Sequence, residues 1–152
     1  MHFLFVLLYI LIFTSCDMVV IDTNDDNQSE ENNYSFSIGE VNNQHITILY
    51  SHEGSPPNIG GFQFIIQGLE QIVLLSGSEG VAQENNFTVQ TGENIILGFS
   101  LIGSTIPSGS NGDILTKLFY EGEFINTNLC INNVVISDSE GNAISALLIE
   151  CN

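Results

Sequence analysis

Short apolar runs separated by polar turns repeat along the chain from residue 34 onward. In the run 59–67, Phe62, Phe64 and Ile66 occupy every second position, which places them on one face of a β-strand. The opposite face of this run is mixed in polarity. That pattern is typical of a central strand in a two-sheet sandwich, where the aromatic face fills the space between the sheets.

Eight further runs follow the same pattern, each rich in β-branched and aromatic residues and bounded by Gly, Asn, Ser or Pro. No run shows a sustained helical period. The nine predicted strands are 34–41, 44–51, 59–67, 69–76, 86–91, 94–102, 113–121, 128–137 and 144–150. Nine short strands in a chain of this length predict an all-β fold, an antiparallel β-sandwich or jelly roll.

Within these strands, apolar residues that share a face are the candidates for the core. The three sets are Ile46, Ile48 and Tyr50; Leu97, Phe99 and Leu101; and Leu115 with Phe119. Gly98 interrupts the second set inside a strongly apolar strand, which predicts close packing or a bulge at that position.

The N-terminus begins with an apolar run of eleven residues, 3–13, followed by Thr14, Ser15 and Cys16. This length suits the hydrophobic region of a signal peptide and falls short of the roughly 20 residues that span a bilayer. Residues 13–16 resemble a bacterial lipobox, in which the cysteine becomes the lipidated first residue. The sequence therefore predicts a signal peptide over 1–16 with lipidation at Cys16, and ordinary secretion is the alternative. Both place the domain outside the cytoplasm.

Residues 17–33 are polar and acidic, and such a composition predicts a flexible linker ahead of a domain over 34–152. The spacing of Asp22, Asn24 and Asp26 is similar to the first ligands of a calcium loop. Asn27 stands where that loop needs a glycine, so a solvated linker is the favoured interpretation.

The charge balance excludes some classes of partner. The chain has 18 acidic residues against a single basic residue, Lys117, and a net charge of -17. Binding to nucleic acid or to an anionic membrane requires Lys and Arg, so neither is predicted, and membrane attachment is expected only through a lipid anchor. The acidity favours solubility in salty surroundings, with a cation-binding surface as the alternative.

The cysteines indicate a second covalent feature. With Cys16 assigned to the leader, Cys130 and Cys151 remain, and an even remainder in an exported protein predicts a disulfide. It would close a loop of about 20 residues and stabilise the fold by roughly 3 kcal/mol in the loop-entropy model.

Beyond the calcium and cation-binding alternatives above, nothing in the sequence indicates catalysis, a metal or a cofactor. His45 and His52 lack the spacing of a zinc helix, and neither a nucleophile elbow nor a phosphate loop with a lysine occurs. Several carboxylates are present, but no two of them stand out as an acid and base pair. They are Glu70, Glu84, Glu93, Glu121 and Glu123.

Four stretches carry a resemblance to a known family. A small-residue turn opens a strand at 60–64, a strand rich in Glu and aliphatic residues follows at 69–74, and 96–101 contains a hydrophobic-Phe-Ser pattern before a Ser/Gly loop. The segment 134–144 is a strand that ends in an Asp/Asn/Gly turn. Together they resemble a cohesin domain.

The resemblance implies a nine-stranded antiparallel jelly roll without catalytic activity, which binds a dockerin module through one sheet face. Carbohydrate-binding modules share this sandwich. The expected function is therefore an extracytoplasmic protein-binding module, and the alternative is a module that binds polysaccharide or is adhesive. That alternative needs an exposed aromatic cluster, for which Tyr34, Tyr50 and Tyr120 are the tyrosines available in the domain.

Overall fold

The computed structural model describes residues 33–109, 111–123 and 128–147. Within these ranges the chain forms ten strands and one short helix, α1 (Gly80–Glu84). The strands are β1 (Asn33–Val41), β2 (His45–Glu53), β3 (Gly61–Gln67), β4 (Ile72–Ser78), β5 (Thr88–Thr91), β6 (Ile95–Phe99), β7 (Asp113–Gly122), β8 (Cys130–Ser137), β9 (Ala143–Ile144) and β10 (Ala146–Leu147).

The strands form two layers. Hydrogen bonding links all ten strands in the order β10-β1-β2-β7-β4-β5-β6-β3-β8-β9, but β4 and β5 share only the single pair Gly77–Val89. We therefore call β10-β1-β2-β7-β4 the first sheet and β5-β6-β3-β8-β9 the second. Phe36 of β1 packs edge-on against Phe62 and Phe64 of β3, although β1 and β3 are not hydrogen-bonded neighbours. The two sheets therefore face each other across an aromatic core, which confirms the predicted all-β sandwich.

The strand count differs from the prediction at the C-terminal end. Residues predicted as one strand, 144–150, form two short strands separated by Ser145. Ile144 of β9 pairs with Ile136 of β8, whereas Ala146 of β10 pairs in parallel with Tyr34 of β1. The chain thus changes sheets at Ser145, which splits the expected ninth strand into two. All other pairings are antiparallel.

Helix α1 was not predicted, because its five residues are too few to show a helical period. It lies between β4 and β5, where Ala82 is buried and the backbone N–H of Phe87 donates to the carbonyl of Ala82. The helix therefore lies in the gap between the predicted strands 69–76 and 86–91.

The core contains two of the predicted apolar sets. Ile46, Ile48 and Tyr50 are fully buried, and so are Phe62, Phe64 and Ile66 of β3. The prediction for β6 is wrong, since Leu97 is 38% exposed and Leu101 is 85% exposed, while Ile96 and Gly98 are buried. Both faces of β6 are apolar, so its alternation alone does not show which face is buried.

A bulge explains the difference in β7. Ile48 pairs with Thr116 and Leu49 pairs with Ile114, so Leu115 is an extra residue that shifts the alternation. Leu115 is buried as predicted, but beyond the bulge the inward positions are those of Leu118 and Tyr120. Phe119, predicted to share the face of Leu115, is only half-buried.

Gly98 provides close packing between the sheets, as predicted. A Cβ atom at this position would overlap the ring of Phe62, which is buried and stacks against both Phe64 and Phe87. We expect Gly98→Ala to lower the free energy of unfolding by about 1–3 kcal/mol, the usual cost of overpacking a core. Chemical denaturation measures this change.

Gly92→Ala is the matched control, because a Cβ atom there lies 3.6 Å from the carbonyl oxygen of Ile95, an ordinary contact. We expect its stability to match that of the wild type within about 0.5 kcal/mol. Equal stability of the two variants would show that the Phe62 ring yields freely, contrary to the packing described.

Two buried tyrosines make stability depend on alkaline pH. The hydroxyl of Tyr34 donates to the carbonyl of Pro57 at 3.0 Å, and that of Tyr50 donates to the carbonyl of Pro107 at 3.2 Å. Burial raises the pKa of Tyr34 to about 12, with a smaller contribution from Tyr50. Burial also raises the pKa of Tyr50 to about 12, and the negative charges of Asp113 and Glu84 make smaller contributions in the same direction.

Because both folded-state pKa values lie above the ordinary value of 10.0, their contribution to stability is complete below pH 10 and is lost as pH rises toward 12. We expect a cooperative loss of β-sheet circular dichroism in this window, with phenolate absorbance at the same midpoint. Phenols that titrate near pH 10 while the circular dichroism persists would contradict the burial of this pair.

Several predictions fall outside the described residues. These are the signal peptide over 1–16, the linker predicted over 17–33 with its calcium alternative, except for Asn33, which begins β1, and the pairing partner Cys151. Lipidation of Cys16 and the Cys130–Cys151 disulfide therefore stay predictions, as do the domain boundaries. Cys130 itself is buried at the start of β8.

Candidate functional site

Charge is distributed unevenly between the two sheets. None of the five strands of the second sheet, as described, contains Asp, Glu, Lys, Arg or His, although the whole chain has 18 acidic residues. The first sheet, in contrast, carries ionisable residues such as Glu40 of β1, His45 of β2 and Lys117 of β7. The outer side of the second sheet is therefore an uncharged surface on a strongly acidic protein.

Cross-strand pairing arranges the outward residues of the second sheet in three rows over β5, β6, β3 and β8. The first row is Thr88, Phe99, Gly61 and Ser137. The second row is Gln90, Leu97, Gln63 and Val135. The third row has no residue from β5 and consists of Ile95, Ile65 and Asn132. Directly paired residues share a face, and the alternate residues of β3 and β6 are buried in the core. We call these eleven residues the uncharged face.

The uncharged face has an apolar centre. Ile95 is 44% exposed, Leu97 38% and Val135 58%, and Phe99 and Ile65 beside them are half-buried. The remaining members are glycine, amide and hydroxyl residues, which lose water at a lower free-energy cost than charged groups. Such a composition suits contact with another surface that also excludes water.

A shallow depression lies within this face. It has a volume of about 230 Å³, and its lining includes Leu97, Phe99, Val135 and Gln63 around two glycines. Phe62 also contributes to the lining. The depression is large enough to receive an aliphatic side chain from a partner.

Acidic side chains lie beyond both ends of the uncharged face. Glu93 is in the turn between β5 and β6, and Asp138 and Glu140 are in the turn between β8 and β9. Hydrogen bonds from the side chain and backbone of Asn142 lower the pKa of Asp138, so this carboxylate is ionised at neutral pH. These carboxylates form a negative rim around the uncharged face, and the centre of the face is neutral.

The histidines considered in the sequence do not come together. His45 begins β2 and His52 lies seven residues later, which separates them by about 23 Å along an extended strand. The His45 ring packs near Phe119, with Nε2 3.3 Å from the side-chain nitrogen of Asn42. The His52 ring nitrogens lie near the carbonyls of Gly54 and Gly109.

Carboxylates gather beside α1 rather than on the uncharged face. A cleft of about 530 Å³ is lined by residues that include Glu79, Glu84, Asp113 and Lys117, and in it Glu79 Oε2 lies 2.7 Å from Lys117 Nζ.

Among the described residues, no group of three His, Cys, Asp or Glu side chains is placed to hold a metal ion. In the same part of the chain, no helix is long and apolar enough to cross a membrane.

A larger hollow of about 540 Å³ opens at one end of the sandwich, lined by residues that include Val41, Asn43, Tyr120 and Leu129. The Tyr120 hydroxyl donates to the carbonyl of Asn42, and burial raises its pKa. Tyr120 therefore closes the end of the core.

The uncharged face was not identified from the sequence, although the sequence contains a signal for it. Residues 94–112 include no ionisable side chain, and neither do 54–69. Counting charge strand by strand would have separated the second sheet from the first. Two of its apolar residues, Leu97 and Phe99, are instead predicted as core positions.

Comparison with solved structures supports the fold. A non-cellulosomal cohesin from the archaeon Archaeoglobus fulgidus matches with a TM-score of 0.52 and 13% identity over 75% of this chain and 84% of its own. The domain has the cohesin fold, in a divergent form.

Two further structures give the same result for this cohesin-like domain. A chain of a type I cohesin–dockerin complex from Clostridium thermocellum matches with a TM-score of 0.53 and 15% identity, over 79% of this chain and 91% of its own. The cohesin module of a family 33 glycoside hydrolase from Clostridium perfringens matches with a TM-score of 0.51 and 15% identity, over 79% of this chain and 93% of its own. No protein-family model matches the chain, and no curated protein matches it by sequence.

Proposed function

We propose that this protein is a non-catalytic, extracytoplasmic binding module that docks a protein partner of the dockerin type through the uncharged face. The observation that carries the proposal is the absence of Asp, Glu, Lys, Arg and His from the five described strands of the second sheet in a chain of net charge -17. Cohesin-like folds provide the context, since one of the similar structures is a cohesin–dockerin complex.

The energetic argument concerns desolvation. A charged side chain loses favourable hydration when a partner covers it, so the centres of protein interfaces are depleted in charge and enriched in apolar groups. Leu97, Val135 and Ile95 expose apolar surface at the centre of the uncharged face, and covering them with another apolar surface is favourable. An exposed apolar face of this kind marks an interaction surface.

The rim indicates the charge of the partner. Glu93, Asp138 and Glu140 lie around the neutral centre, so a partner with basic residues at the periphery of its contact surface is complementary. A second copy of this chain would bring the same carboxylates together, and its net charge of -17 would oppose association. The partner is therefore a different protein.

The polysaccharide alternative depended on exposed tyrosines. Tyr34, Tyr50 and Tyr120 are all buried, so none of the three offers a ring on which a sugar could stack. Their burial favours the protein-binding proposal over the carbohydrate-binding or adhesive one.

Site-specific photo-crosslinking tests the proposal. A photoreactive amino acid replaces Leu97 in the full chain produced in its own host, and the matched control replaces Leu75, which is exposed on β4 of the first sheet. We expect a protein adduct at position 97 alone, with dockerin-type sequence identified by mass spectrometry. An adduct with polysaccharide, adducts at position 75 alone, or no adduct at position 97 would refute the proposal.

A further inference from the structure

Two adjacent aliphatic residues are exposed at the end of β6. Leu101 is 85% exposed and Ile102 is 75% exposed, the two highest values among the large hydrophobic residues described. We call this pair the aliphatic turn. Single exposed aliphatic residues are common on protein surfaces, but a pair adjoining a larger apolar area marks a contact surface more specifically.

Hydrogen bonds fix the backbone of the aliphatic turn and of the segment that follows it. The Ser100 hydroxyl accepts hydrogen bonds from the backbone N–H groups of Ile102 and Ser104, at 3.4 Å and 3.1 Å. A few residues later, Ile106 is fully buried and exchanges two backbone hydrogen bonds of 2.8 Å with Ile59. The exposed pair is therefore presented on a fixed support, which lowers the entropy lost when a partner contacts it.

The aliphatic turn extends the uncharged face. It begins two residues after Phe99, which belongs to the end row with Gly61 and Ser137. No ionisable residue lies between 94 and 112, so along the chain no charged side chain separates the exposed Ile95 and Leu97 of β6 from Leu101 and Ile102.

The size of the uncharged face shows why an extension is needed. Four strands spaced about 4.8 Å apart and five residues long cover roughly 300 Å² in projection. A stable interface buries about 800 Å² on each partner. Accessible area exceeds projected area because side chains stand out from the sheet, but a face of this extent is still small for a stable interface. Contact with the aliphatic turn, which follows β6 along the chain, would enlarge it.

We infer that Leu101 and Ile102 form a second anchor for the same protein partner, inserting into an apolar pocket beside that partner's main contact surface. This inference rests on the proposed function. A lipid membrane is the other class of surface that binds exposed aliphatic residues, but such insertion is usually supported by nearby cations. The chain has one basic residue, Lys117. It lies on β7 in the first sheet and forms an ion pair with Glu79.

Crosslinking and affinity together test the inference. The photoreactive amino acid is placed at Leu101 as well as at Leu97, and the partner identified at position 97 is purified. The double variant Leu101→Ser, Ile102→Ser is compared with Val73→Ser, Leu75→Ser, which changes two residues exposed on the first sheet. We expect positions 97 and 101 to crosslink the same protein, and the turn variant to bind it at least about 10-fold more weakly than the control.

The outcomes separate the two proposals. An adduct at position 97 without one at 101, or unchanged affinity of the turn variant, would overturn the second anchor and leave the docking face intact. No protein adduct at either position would overturn both. Lipid adducts at position 101, with co-sedimentation of the protein on phosphatidylcholine vesicles that the turn variant loses, would overturn the inference in favour of membrane insertion. Equal thermal midpoints of the variants confirm that the fold is unchanged.

Discussion

Phe36→Ala is expected to lower the free energy of unfolding by about 3–5 kcal/mol, the range for removing a buried phenylalanine. Phe36 is buried in β1 and its ring centroid lies 6.0 Å from that of Phe62 and 5.6 Å from that of Phe64, both in β3. These edge-on contacts join the two sheets. Truncation would leave a cavity between strands that no backbone hydrogen bond connects.

Chemical denaturation followed by circular dichroism measures the change in Phe36→Ala. The control is Phe119→Ala, because Phe119 is only half-buried and lies beyond the bulge of β7, where it contacts His45 on the outer side. We expect the control to lose about 1 kcal/mol. Equal losses in both variants would show that Phe36 does not hold the sheets together.

Leu97→Arg is expected to weaken binding of the partner by at least about 100-fold. Leu97 lies in the central row of the uncharged face, paired with Gln63 and Gln90 and beside the depression lined by Val135. An arginine there would have to lose its hydration against an apolar contact surface, and it would also repel the basic periphery expected of the partner. The affinity is measured by titration calorimetry with the purified partner.

Leu75→Arg is the matched control for this experiment. It makes the same chemical change and the same change of net charge on the first sheet, at a residue that is 53% exposed. We expect affinity within about twofold of the wild type and equal thermal stability of both variants. Comparable losses of affinity from the two substitutions would indicate a general charge effect and not a docking face.

The sequence predicts most of this architecture because the strand signals are local. Period-two alternation in β2 and β3 identifies Ile46, Ile48, Phe62 and Phe64 as inward-facing, and the structure buries all four. What alternation cannot supply is the identity of the buried face when both faces are apolar. In β6, Ile96 and Gly98 face inward because they pair with the buried Phe64 and Phe62 of β3, and the Phe62 ring packs against Gly98.

The remaining differences have similar non-local causes. The bulge at Leu115 depends on the register between β2 and β7, and the break at Ser145 depends on two sheet edges that meet only in the folded protein. The uncharged face was missed for a related reason. Its exposed members Leu97 and Val135 have the same residue types as the core, and only the assembled sheet shows that they contact solvent.

Amide chemical shifts of the isotope-labelled full chain, recorded with and without the purified partner, test the docking face most directly. The account predicts perturbations concentrated on β6, β3 and β8, around Leu97, Gln63 and Val135, and little change on β2 and β7. Perturbations centred on the outer side of β2, β7 and β4, with the uncharged face unchanged, would contradict it.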